Sequence, residues 1–277
     1  MIVMDTGKTL YISDLDGTLL NKNSVLSEYT KNTLNKIISW EINFTVVTGR
    51  TTDAVQQIMS DVDLNIPIAS FNGVVIYDTK QKRYEKVYRL AAEDIRKIID
   101  VLKSHGASAL VYELKGDALI SYYESHNDTL IRDFIDDRKA RYNSAFCQID
   151  DMGDLLPEYV MYFTLMGTYD RIKLIYNTLQ SLPGINMTMV KDTGFWWLEI
   201  FSAKASKGNA VMFLREMYGY KKIVGFGDNY NDLPMFKVCD VCVAVKNALD
   251  EIKADADYIC ESHDEDGVVK WIENHIK

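Results

Sequence analysis

Two carboxylates, Asp14 and Asp16, stand one residue apart at the end of an apolar run, in the stretch TLYISDLDGTLL. At ~4 Å such charges repel by roughly 1 kcal/mol in water and about 4 kcal/mol at a protein-like dielectric, so something must offset them. Partners stand at the ends of other apolar runs. Thr48-Gly49-Arg50 follows INFTVV, Gly227-Asp228 and Asn231-Asp232 follow KIVGF, and Lys207 opens a helical pattern after FWWLEIFSAKA. If those runs are strands of one sheet, separate segments deliver carboxylates, a hydroxyl and an ammonium to the edge where ligands collect. An oxygen-rich set of this kind suits Mg²⁺, which keeps several waters and takes phosphate oxygens. Lys207, at a helix start whose amides face an anion, would balance the charge of a phosphate.

The elements needed to hold these residues are legible as alternating strand and helix patterns. TLYIS, a helix over Ser27 to Trp40, INFTVVT, a helix from Thr51 and IPIAS come first. A helix from Lys207, KIVGF, a short helix near Asp232, VCVAV, a helix from Ala248, DYIC and a helix from Glu265 come last. Continuous apolar strands alternating with helices predict a parallel sheet covered on both faces. The grammar changes between them: SALVYEL and ALISYY join at Gly116-Asp117, INMTMV and FWWLEIF join around Asp192 to Gly194, and helices from about Leu90, Asn127 and Tyr169 intervene. Hairpin-linked strands of this sort predict an antiparallel α+β insert. The expected division is a core over 1–88 and 193–277 with an insert over 89–192.

Taken singly, each signal has an ordinary reading: Asp16-Gly17 as a turn, Thr48-Gly49 as the exit from a strand, Lys207 as a solvated lysine. Their joint occurrence at strand ends, in one order, points to a site. A calcium loop counted from Asp14 fails because Leu19 stands where Gly is needed and Val25 where Glu is needed. A dinucleotide fingerprint at Gly225 and Gly227 fails because Tyr230 takes the third glycine position and Asp228 would repel a pyrophosphate.

Bulk properties narrow the class. The 277 residues are 47% hydrophobic and 26% charged with net charge -9, and no Lys/Arg-rich block appears, which argues against nucleic acid and against an anionic membrane surface. Met1 to Asp14 carries Asp5 and no long uncharged stretch, so it does not read as a secretory signal, and the expected location is cytoplasmic. Four cysteines suit a reducing compartment; Cys239 and Cys242 form a CxxC with no second pair, and are read as buried structural thiols.

Asp14-Leu15-Asp16-Gly17-Thr18-Leu19, Thr48-Gly49-Arg50, Lys207-Gly208 and Gly227-Asp228-Asn229-Tyr230-Asn231-Asp232 resemble, in order and spacing, the motifs of haloacid dehalogenase (HAD) superfamily phosphatases. The long insert resembles the α+β cap of the Cof-type subgroup, of the C2B kind. The resemblance implies a doubly wound parallel-sheet α/β core, HAD-like and Rossmannoid, with an inserted α+β cap domain. It implies an aspartyl-phosphate mechanism in which Asp14 attacks phosphorus while Asp16 serves as acid and base. It further implies Mg²⁺ held by Asp14, the Asp16 carbonyl and Asp228, with Asp232 close by, and a phosphoryl group held by Thr48, the Leu15 and Gly49 amides, Lys207 and Asn231.

The expected function is hydrolysis of a small phosphate monoester such as a sugar phosphate by a monomer or weak homodimer. The alternatives are a sugar phosphomutase and a non-catalytic phosphometabolite-binding protein. Lys246 and His263 depart from the family's usual residues beside the site. Tyr122, Tyr123, Trp196 and Trp197 are the aromatic candidates for substrate choice in the insert. Trp196 and Trp197 adjoin in a strand and must face opposite sides.

Overall fold

The computed structural model describes residues 8–124, 129–142, 144–192 and 194–276. The opening heptad with Asp5, the expected helix start at Asn127 and the turn residue Thr193 lie outside them. The chain divides into two compact units, residues 1–86 with 206–277, and residues 87–205.

The first unit opens with β1 (Thr9–Ser13), α1 (Glu28–Ser39), β2 (Asn43–Val46) and α2 (Thr52–Ile58), followed by β3 (Ile68–Ser70), β4 (Val75–Asp78) and β5 (Arg83–Val87). Helix α1 starts at Ser27, whose hydroxyl accepts the Thr30 amide, and buries Leu34 and Ile37 at helical spacing. The second unit carries α3 (Ala92–Ser104), β6 (Leu110–Lys115), β7 (Ala118–Glu124), α4 (Thr129–Tyr142), β8 (Phe146–Ile149), β9 (Val160–Gly167), α5 (Tyr169–Leu179), β10 (Ile185–Asp192) and β11 (Phe195–Ser202). The chain then returns through α6 (Lys207–Tyr218), β12 (Lys222–Gly227), α7 (Leu233–Phe236), β13 (Val241–Val245), α8 (Asp250–Ala254), β14 (Tyr258–Cys260) and α9 (Gly267–His275).

In the first unit the main sheet has the order β14-β13-β12-β1-β2 and is parallel throughout. Its strands are apolar on both faces, with Leu10, Ile12, Phe44, Val46, Phe226 and Val243 fully buried, as strands covered by helices on both sides must be. Strand order runs outward from β1 to β2 on one side and to β12 on the other, so the sheet switches direction between β1 and β12, where ligands collect. Ser13 is level with Phe226 and with Val46, which brings the next residues of all three strands to one edge.

Three readings of the sequence need correction. IPIAS joins the parallel sheet only at an isolated bridge, Val47 to Ala69, which is parallel as expected; as a strand, Ile68–Ser70 pairs antiparallel with Val75–Asp78 in a separate three-stranded sheet. The return to the core falls after Ala205 rather than at position 193, because Phe195–Ser202 pairs along its length with β10 and also with β9. The first division falls after Lys86 rather than Tyr88.

The second unit is a six-stranded sheet, β10-β11-β9-β6-β7-β8, antiparallel except where β7 meets β8. Its core sets Val111, Phe163, Leu165, Leu198 and Ile200 of the sheet against Ile95, Ile98 and Leu102 of α3 and Ile172, Ile175 and Leu179 of α5. Trp196 packs on this cluster and on Tyr169, whereas Trp197 meets Phe134. Tyr122 also packs on the cluster, so two of the aromatic candidates support the unit's own core. Cys242 is buried, Cys239 is half-buried and precedes its strand, and all four cysteines are free thiols.

Candidate active site

Asp14 directly follows β1, its amide bonded to the Phe226 carbonyl of the neighbouring strand at 3.0 Å. Its carboxylate is 5% exposed. Opposite it lies Lys207, the first residue of α6, held there by Ser206, whose hydroxyl accepts the Asn209 amide at 3.0 Å. Contrary to the ordinary expectation for a lysine at a helix start, Lys207 is 1% exposed. Its ammonium sits 2.8 Å from Asp14 Oδ1 and 2.7 Å from Asp232 Oδ1.

Asp232 is fully buried and has both oxygens engaged. Oδ1 takes the ammonium, and Oδ2 accepts the amides of Asp228 at 2.9 Å and Asn229 at 3.1 Å. It therefore anchors the loop after β12 to Lys207. Asp228 is left with its carboxylate toward the site, Oδ1 accepting the Thr18 hydroxyl at 2.8 Å. Gly17, in left-handed backbone with φ +76°, makes room for it: a Cβ there would lie 2.5 Å from Asp228 Oδ2.

Oxygens of Asp14, Asp228 and Asp232 come within 4.8 Å of one another. Burial is the main cause that pushes Asp14 well above the usual carboxylate range; Asp232 and Asp228 add to it and Lys207 works against it. Asp228 is raised to about 7, again chiefly by burial and then by Asp232, with the Thr18 hydrogen bond opposing. For Lys207 burial acts downward, but Asp14 and Asp232 outweigh it and hold the ammonium protonated. With the three carboxylates ionised, one ammonium leaves two negative charges uncompensated. An all-oxygen donor set with that residual charge fits a hard divalent cation. Asp14 and Asp228 have the freer oxygens for such an ion.

Asp16 points elsewhere. Arg50 grips it as a fork, Nε to Oδ2 at 2.6 Å and Nη2 to Oδ1 at 2.5 Å, with Asp16 half-exposed. Thr48 is buried after β2, its amide on the Ala69 carbonyl, its carbonyl taking the Asn72 amide and its hydroxyl accepting the Arg50 amide at 3.3 Å. Gly49 lies in the bend between Thr48 and Arg50. Asn231 donates to the Asn72 side chain at 3.4 Å. Leu15 is buried, and its carbonyl accepts the amides of Thr18, Leu19 and Leu20, which curls the loop back over β1. The predicted site residues thus stand at one edge of the main sheet, on the segments that follow its strands and, for Lys207, at the start of α6.

Sequence reasoning missed the roles of Arg50, Thr18 and Asn72. Arg50 and Thr18 lay inside segments already singled out, but their partners come from other segments. The Asn72-Gly73 pair after IPIAS is a turn signal that could have pointed to Asn72; Phe71, Asn72 and Gly73 all adopt positive φ, which bends the chain back toward Thr48.

Over residues 11–272 the sequence matches the family described as haloacid dehalogenase-like hydrolase. Among curated proteins it is similar to 5-amino-6-(5-phospho-D-ribitylamino)uracil phosphatase YwtE of Bacillus subtilis strain 168, 29% identical, with 94% of this chain and 95% of that protein covered. It is also similar to pyridoxal phosphate phosphatase YbhA of Escherichia coli K12, 23% identical, with 95% and 97% covered. Among solved structures, a haloacid dehalogenase-like hydrolase from Bacteroides thetaiotaomicron has a TM-score of 0.81 at 25% identity, covering 96% of this chain and 98% of that one.

Proposed function

The chain belongs to the haloacid dehalogenase-like hydrolase family, and from that premise we propose that it is a Mg²⁺-dependent phosphatase acting on a small phosphorylated metabolite through an aspartyl-phosphate. The observation that carries the reading is the buried Lys207 ammonium between Asp14 and Asp232, with Asp228 alongside. The names of the two curated relatives specify phosphate monoesters of small polar metabolites, and the same class, sugar phosphates included, is proposed here.

Asp14 attacks the phosphorus, forming an oxygen–phosphorus bond as the bond to the leaving alkoxide breaks. Asp16 gives that alkoxide a proton, then takes one from the water that attacks the aspartyl-phosphate and releases phosphate. Lys207, the Thr48 hydroxyl, Asn231 and the Leu15 and Gly49 amides hold the phosphoryl oxygens and meet the charge that develops on them. Mg²⁺, when bound by Asp14, Asp228 and the Asp16 carbonyl, supplies charge neutralisation between carboxylates and phosphate.

The Arg50 fork occupies both oxygens of Asp16. An anionic phosphoryl group competes for the same guanidinium, and its arrival frees an Asp16 oxygen for proton transfer.

The test is a panel of phosphorylated metabolites assayed for phosphate release with Mg²⁺ and with chelator, with no activating bisphosphate present. Release that needs Mg²⁺ and is lost in Asp14→Asn supports the reading. Untouched esters across the panel would instead favour a binding protein, and phosphoryl return to sugar a mutase.

A further inference from the structure

Strand β13 ends beside the site, and the segment after it touches two of the loops that carry the chemistry. Leu249 donates its amide to the Asp228 carbonyl at 3.0 Å. Asn247 donates from Nδ2 to the Gly17 carbonyl at 2.7 Å and accepts the His263 amide on Oδ1 at 3.0 Å. The orientation of the carboxamide follows from its partners, since a carbonyl can only accept and a peptide N–H can only donate.

This is not a local Asx turn: the Gly17 acceptor is 230 residues away in sequence. Gly17 is the pivot of the Asp16–Leu20 loop, in left-handed backbone, and as glycine it is the residue least able to hold a conformation unaided. Its carbonyl belongs to the peptide that sets the direction of Thr18, whose hydroxyl holds Asp228 Oδ1 at 2.8 Å. The other Asp228 oxygen packs where a Gly17 Cβ would stand. Fixing the Gly17 carbonyl therefore fixes Thr18, and Thr18 fixes Asp228. Within the loop the N–H of the same peptide donates to the Leu15 carbonyl at 3.2 Å, so Asn247 holds that peptide from the other side; a further tether from another segment, the Lys22 amide on Asp264 Oδ1 at 2.8 Å, lies beyond that chain of contacts.

We infer that Asn247 is a positioning residue that clamps the Gly17 peptide and, through Thr18 and Asp228, sets the affinity of the site for Mg²⁺. The inference rests on the phosphatase reading for its metal and on the geometry alone for its clamp. Partners that orient metal-binding side chains typically change affinity by about 10- to 100-fold when removed.

Asn247 is exposed, so its replacement leaves the core intact. The full-length wild type, Asn247→Ala, the nearly isosteric Asn247→Leu and the comparator Asp264→Ala are titrated with Mg²⁺ by calorimetry, and their metal-free forms are followed by hydrogen exchange. Both Asn247 variants are expected to bind Mg²⁺ roughly tenfold more weakly. Their Asp16–Leu20 amides should exchange faster without metal, with melting temperatures in chelator close to wild type. Asp264→Ala should keep wild-type Mg²⁺ affinity. Wild-type affinity and exchange in the Asn247 variants, or an equal loss in Asp264→Ala, overturns the inference. Wild-type protein that does not bind Mg²⁺ counts against the phosphatase reading instead, and the exchange measurement then decides the clamp.

Discussion

Each unit buries carboxylates, and each resolves the burial differently. In the first unit Asp14, Asp228 and Asp232 converge on one ammonium, every one reaching the site from the end of a strand or the loop beyond it. In the second, Glu113 is 3% exposed in β6 beside a break in register with β9, and has for company the Tyr122 hydroxyl and the Leu156 amide. Its Oε1 has no hydrogen-bond partner among the described residues. Burial raises both Asp14 and Glu113. Around Asp14 a buried ammonium in direct contact holds charge in place; around Glu113 the Leu156 amide, the Tyr122 hydroxyl and the Lys115 charge favour the ionised form but do not outweigh burial. Burial alone therefore does not mark a catalytic carboxylate: the partners do.

The comparison can be broken at either end. The largest effect belongs to Asp14→Asn, which should lower phosphate release by on the order of 10⁴-fold or more while the protein stays folded, as a steady-state assay with circular dichroism would report. Asp16→Asn should lose about 10²- to 10⁴-fold, the range of acid-base assistance; equal, mild losses in the two variants would erase the distinction between nucleophile and acid. Lys207→Met turns the first unit's solution into the second's, leaving Asp14 and Asp232 buried without their cation. A stability loss of about 3–5 kcal/mol is expected in denaturant titration at neutral pH, partly recovered in acid, where those carboxyls take up protons.

Glu113→Gln carries the smallest effect and sharpens the other side. The folded state raises the Glu113 pKa above its unfolded value, so it binds the proton more tightly than the unfolded chain does. That contribution to stability is full below the unfolded pKa and is lost as pH rises through the folded one. In saturating Mg²⁺ the stability of the wild type relative to Glu113→Gln should therefore fall from acid toward alkaline pH, by ~1 kcal/mol. Parallel curves would show that Glu113 stays neutral or ionised throughout.

Much of the site was legible because parallel strands place their following residues on one edge, so strand ends could be lined up without knowing the pairing. Asp14, Thr48 and Asp228 were lined up that way, whereas Lys207 was read from a helix start whose preceding strand belongs to the second unit's antiparallel sheet. Arg50's grip on Asp16 was not, since a side chain's choice of partner depends on distances between segments that spacing does not encode. Asn247 was hidden for the same reason, its acceptor lying on a loop from the other end of the chain. The α+β character of the insert followed from its hairpins, but its end did not. FWWLEIF, eight residues with Ser202, reads equally well as a core strand or as the partner of INMTMV, and only the ladder to β9 assigns it to the second unit. IPIAS meets β2 in the expected parallel sense, at one bridge, but a short apolar run does not reveal that its main partner is the antiparallel strand β4 that follows it.

The most direct test of the account traps the phosphoryl group on the protein. Wild type mixed with a turned-over phosphate ester and Mg²⁺, quenched in acid and digested, should show by mass spectrometry a phosphoryl adduct on the peptide that carries Asp14, absent from Asp14→Asn. Steady phosphate release with no adduct at any time point, or an adduct on another segment, would contradict it.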